Sequence, residues 1–117
     1  MSKDNAYLRD ILDSARAIRS YLAGVSREQF EANSEKQDAV IRRYAVMGEA
    51  ARHLSPAALK TLADLPWRQI TGMRNILIHD YEDVDEATLW DTAQQDLPAL
   101  ILRLEAHLAQ EPPPAPS

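Results

Sequence analysis

The chain has 117 residues, a formal net charge of −5, 45% hydrophobic residues and no cysteine. That is enough chain for one cored domain, and it excludes a disulfide framework, a thiolate metal site and a general nucleic-acid coating protein. No apolar run approaches the roughly 18 residues that span a bilayer, and the first residues lack the apolar stretch of a signal peptide, so a cytoplasmic protein with no membrane contact is expected.

Gly occurs only at 24, 48 and 72, and alternating β-branched runs are absent; Leu, Ala, Arg, Glu and Gln predominate. These are helix formers, and the expected fold is all-α. Leu8, Ile11, Leu12, Ala15, Ile18, Tyr21 and Leu22 recur at helical spacing and predict a first amphipathic helix over about residues 4–23. Asp4 or Asn5 would cap it, and Gly24 suits the position just past its end. Ser26–Gln29 reads as a capping box opening a short helix through Phe30. Ser34–Gln37 reads as a second box, opening a long helix with Ala39, Val40, Ile41, Tyr44, Met47, Ala51 and Leu54 on its apolar side. Gly48 inside that helix points to a neighbouring helix passing close by. Ser55-Pro56 supplies a cap and a first-turn proline for a helix over about 56–63. Leu65-Pro66-Trp67 interrupts the pattern, and Trp67 is a large candidate anchor.

A further helix is expected from Trp67, with Ile70, Met73 and Leu77 on its apolar stripe. A final helix is expected over about 86–109, kinked at Pro98 or restarted there behind an Asp96 cap. Residues 1–110 form one expected domain, and the Pro-rich stretch 111–117 an expected disordered tail. There is no internal repeat.

The candidate chemistry lies in Met73-Arg74-Asn75-Ile76-Leu77-Ile78-His79-Asp80-Tyr81. A permanent cation, an imidazole and a phenol fall within eight residues of a chain with few other candidate catalytic groups. On a continuous helix Arg74 and His79 stand about 140° apart, flanking one face, while Tyr81 returns close to the angle of Arg74. No cofactor-binding or metal-ligating pattern accompanies them.

Leu65-Pro66-Trp67-Arg68-Gln69-Ile70, Gly72-Met73-Arg74-Asn75, His79-Asp80-Tyr81, Trp90, Asp96-Leu97-Pro98 and the Gly48-Glu49-Ala50 step together resemble the HepT-like proteins of the HEPN superfamily. The resemblance covers most of residues 5–108. It implies an up-and-down bundle of about four to five helices that forms a homodimer. It implies a metal-independent endoribonuclease toxin, paired in a type VII-like system with an MntA-type nucleotidyltransferase antitoxin. Carried over by position, Arg74 and His79 would be the catalytic pair, Asn75 an assisting residue, and Tyr81 the acceptor of AMP.

Those residue types suit that chemistry. Metal-free RNA cleavage uses the substrate's own 2′-hydroxyl. It needs a group that exchanges protons near neutral pH, as His does, and a cation that holds the phosphate, as Arg does. A symmetric dimer would put two copies of a sparse site into one cleft. Blander roles stand beside these: His79 bonding the last carbonyls of a helix, Arg74 in an ion pair with Glu49 or Asp80, Asn75 capping, and Tyr81 packing at the bundle end. Arg42, Arg43, Arg52, Arg68 and Arg74 are either an RNA track or solvated helix faces. Asp80, Glu82, Asp83, Asp85, Glu86, Asp91 and Asp96 make an acidic run that would repel phosphate and suit a basic partner. The competing functional reading is a non-catalytic dimerisation module, or an accessory subunit for a nucleotidyltransferase.

Overall fold

The computed structural model describes residues 3–73 and 86–110. Among these every regular element is a helix: α1 (Asp4–Leu22), α2 (Arg27–Glu31), α3 (Ser34–Arg52), α4 (Pro56–Thr61), α5 (Trp67–Gly72), α6 (Glu86–Gln95) and α7 (Leu97–Ala109). The all-α expectation holds. The number of helices exceeds the expected four to five because α2, α4 and α5 are separate one- to two-turn pieces, and because the final helix is two.

α1 buries Leu8, Ile11, Leu12, Ala15, Ile18 and Leu22 of the stripe its spacing predicts, while Tyr21 is only half-buried, its hydroxyl turned to Arg43. Its cap differs from expectation. Lys3 occupies the cap position with no side-chain cap bond. The Asp4 carboxylate instead accepts from the Ser55 backbone N–H at 2.9 Å and from the Ser55 hydroxyl at 2.6 Å. A tertiary partner has taken the group that local sequence assigned to capping. Gly24, at φ 74°, turns the chain after α1 in the left-handed region where glycine carries no Cβ penalty.

The Ser26–Gln29 capping box forms, and it places Phe30 in the core. The second box does not form. Asn33 lies in extended backbone and accepts from the Lys36 N–H at 3.0 Å, so Ser34 is already the first residue of α3. Gln37 turns back to donate to the Phe30 and Glu31 carbonyls, closing the α2–α3 corner.

α3 is the central helix. It packs on α1, α5, α2 and α6, while α1 also packs on α7. Tyr7 meets His53 at one end, and at the other the Tyr21 carbonyl and hydroxyl accept from Lys36 and Arg43. α1 and α3 therefore run antiparallel, as an up-and-down bundle requires. The core they share with α6 and α7 includes Tyr44, Met47, Phe30, Leu97 and Leu104, each at most 1% exposed. Burying each of these large side chains contributes about 1.5–3 kcal/mol.

At the C-terminal end, the helix restarts at Leu97 with Pro98 in its first turn. The expected Asp96 cap bond is absent: Asp96 has helical backbone angles and its side chain caps nothing. The proline is tolerated there because a first-turn N–H has no helical acceptor to lose. The proline-rich stretch 111–117 lies outside the described residues.

Candidate functional site

The candidate segment is delivered by α5. Pro66 breaks the preceding chain and stands at the cap position of α5. Trp67 is half-buried against the core, and its indole N–H donates to the Leu62 carbonyl at 2.8 Å. Ile70, 2% exposed, locks α5 onto the core. Met73 follows with helical angles, half-buried. Arg74, Asn75, His79 and Tyr81 come next and lie outside the described residues, as do Leu77 and the acidic residues from Asp80 to Asp85.

The return is anchored as firmly as the departure. α6 begins at Glu86 and buries Leu89 and Ala93. The Tyr44 hydroxyl of α3 donates to the Leu89 carbonyl at 3.0 Å. Trp90 packs on Phe30 with ring centroids 5.7 Å apart. Both flanks of 74–85 thus rest on one rigid support.

Between α5, α6 and α7 lies a groove of about 560 Å³. Ile70, Met73, Leu89, Leu97 and Leu100 give it apolar walls, and Asp64, Gln69, Thr92, Gln95 and Asp96 stand among them. The Asp64 carboxylate accepts from Arg103 Nε at 2.9 Å, and that hydrogen bond holds its pKa below the usual carboxylate range. Tyr44 also lines the groove. Burial raises its pKa well above the ordinary phenol value, and the Asp96 carboxylate adds to the rise. Among its described lining residues, two carboxylates and no cation make this groove a poor seat for phosphate.

The arginines proposed as a track divide. Arg43 Nε donates to the Tyr21 hydroxyl at 3.2 Å, and Arg52 pairs with Glu49 at 3.1 Å. Arg42 and Arg68 are exposed and make no hydrogen bond or ion pair among the described residues. Glu49 serves Arg52 and His53, whose Nε2 lies 3.3 Å from the same carboxylate oxygen. His53 escaped the sequence reading. Its signal was the Glu-x3-His spacing, which puts both groups on one helix face, while its stacking partner Tyr7 is distant in sequence. Among the described residues no three His, Cys, Asp or Glu side chains converge as a metal site would require. No described helix is long and apolar enough to cross a membrane.

Similarity to known proteins follows the same span. A Methanocaldococcus jannaschii protein named "Putative RNase MJ1380" is 33% identical over 100 residues, covering 86% of this chain and 92% of its own. A Thermococcus cleftensis protein named "Probable ribonuclease HepT" is 34% identical over 94 residues, covering 80% of this chain and 86% of its own. No solved structure gives a significant match. The family model described as ribonuclease HepT-like matches residues 11–106, a span that takes in both anchored flanks and the Arg74–Tyr81 segment between them, and the chain belongs to that family.

Proposed function

We propose that this chain is a metal-independent endoribonuclease, acting as the toxin of a toxin–antitoxin pair, with Arg74 and His79 as its catalytic groups. The observation that carries the reading is the R-N-x3-H-x-Y segment, set inside a family match that spans the domain. His79 takes the proton of the substrate's 2′-hydroxyl, and that oxygen attacks the adjacent phosphorus. The P–O5′ bond breaks, and the 5′-oxygen leaves with the proton that His79 has taken, giving a 2′,3′-cyclic phosphate and a 5′-hydroxyl and restoring neutral His79. Arg74 holds the phosphate and meets the charge growing on its oxygens, and Asn75 orients it. In a homodimer two such sets face one cleft.

Tyr81 is the proposed control point. Its phenolic oxygen attacks the α-phosphorus of ATP on a nucleotidyltransferase of the MntA type, pyrophosphate leaves, and AMP remains on the ring. The added bulk and negative charge beside Arg74 close the site.

The test is expression of wild type and His79→Ala without a partner, following growth and total RNA. Growth arrest and new RNA fragments, insensitive to a metal chelator, are expected with wild type only. Intact RNA with wild type overturns the reading. The acid-lined apolar groove favours the second reading, a non-catalytic module that docks a basic partner. A folded wild type that leaves RNA untouched yet retains a nucleotidyltransferase would establish it.

A further inference from the structure

At the end of the bundle where α1 begins and α3 ends, the rings of Tyr7 and His53 lie stacked, with centroids 5.2 Å apart and planes 18° from parallel. Tyr7 is half-buried and backed by the core. His53 is not buried: 44% of its side chain is open to solvent. One face of the imidazole is covered by Tyr7, and one nitrogen is held by Glu49 at 3.3 Å. The opposite face has no ring stacked on it among the described residues. A flat ring held by a neighbour behind it and a carboxylate at its edge loses little freedom when a third ring is laid on it.

Three cations flank the stack, beside the Glu49 carboxylate that holds the imidazole and the Asp4 carboxylate that binds Ser55. Lys3 opens the turn that carries Tyr7, its carbonyl accepting from the Tyr7 N–H. Arg52 adjoins His53, and its pairing with Glu49 places it beside the ring. Lys60 lies on α4, which the Asp4–Ser55 bonds tie to the start of α1. Lys3 and Lys60 are exposed, with no hydrogen bond or ion pair from their side chains among the described residues. Open ring faces flanked by cations are how single-stranded RNA is held without sequence preference.

We propose that Tyr7 and His53 form a stacking platform for one base of the substrate RNA, with Lys3 and Lys60 meeting the adjoining phosphates. This deepens the RNA-cleaving reading and rests on it. The base lies on the open face of His53 as the third layer of the stack.

The experiment measures binding of a short, labelled, adenosine-only RNA by fluorescence anisotropy at fixed salt, using the His79→Ala protein so that the strand is not consumed. Adding His53→Leu is expected to weaken binding roughly tenfold. Adding His53→Tyr, which keeps a flat ring, should stay within about twofold of the parent. His107→Leu, a change at a half-buried histidine on α7, should leave it unaltered. The loss should vanish on an abasic strand of the same length, which has phosphates and no bases. Circular dichroism checks each fold, and Tyr7→Leu repeats the test from the other ring. Equal affinity of the parent and His53→Leu for the adenosine strand overturns the platform, as does an equal loss on the abasic strand. If wild type cleaves RNA while His53→Leu binds normally, only the platform fails. If the parent binds no RNA and wild type cleaves none, both readings fail.

Discussion

The Tyr44 hydroxyl donates to the Leu89 carbonyl at 3.0 Å, joining α3 to α6 across the whole candidate segment. Tyr44 is 1% exposed, so the bond is made out of reach of water. Tyr44→Phe keeps the ring and loses the bond, at a cost of about 1 kcal/mol. The urea midpoint should fall with an unchanged slope.

The same residue adds an alkaline dependence to stability. Burial raises the Tyr44 pKa above its unfolded value. Its contribution is therefore fully present below roughly pH 10, the unfolded phenol value, and is lost as the pH rises beyond it. Thermal melts between pH 8 and 11 should show a steeper alkaline decline for wild type than for Tyr44→Phe.

Ser55 carries two tasks. Its hydroxyl oxygen caps α4 by accepting from the Ala58 N–H at 3.2 Å, and its O–H donates to Asp4. Ser55→Ala should cost about 1–2 kcal/mol. Ser55→Thr should restore most of that. Ser55→Asp should not, because it sets a second carboxylate against Asp4 even though aspartate caps well. Chemical denaturation of the three variants separates the cap from the tie.

Asp64 and Arg103 give a smaller effect with the opposite pH sense. The hydrogen bond from Arg103 lowers the Asp64 pKa. That contribution exists above the unfolded carboxylate value and fades as the pH falls through the folded one. The pair is exposed, so screening keeps it weak. The difference in Tm between wild type and Arg103→Gln should shrink from pH 7 toward pH 3, and shrink also in high salt.

Phe30 is the buried residue of α2, fully enclosed and in contact with Trp90. Phe30→Ala should cost about 3–5 kcal/mol and shift Trp90 emission. The short α2 has no other apolar anchor to hold it.

Residues whose environment is set by their own helix were legible in the sequence. The α1 stripe, the Ser26 box, the Ser55-Pro56 start and the Pro98 restart all follow from spacing and from local hydrogen-bond supply. Failures came where a distant partner, an adjacent better cap or the residue's own backbone angles competed. Asp4 left its expected cap for Ser55, fifty-one residues away. Asn33 preceded Ser34 with a better-placed carbonyl oxygen, and Asp96 sat in helical backbone where no cap bond is possible. The flanks of the candidate site were readable through Pro66, Trp67 and Ile70. The support from Tyr44 was not, because nothing local to α3 announces an acceptor on α6. Likewise the Glu49–His53 spacing was visible, whereas the ring of Tyr7 behind it was not.

The two sides of 74–85 share one core. Leu89, Ala93, Leu97, Leu100 and Leu104 are buried in the same cluster as Leu8, Ile11, Ile18, Val40 and Met47. α6 and α7 therefore do not depend on the peptide link between Met73 and Glu86 to find their places. A chain cut by a protease within that interval should stay assembled as two fragments, co-eluting on gel filtration and parting only in denaturant. The fold is in that sense a two-piece complex that happens to be threaded on one strand.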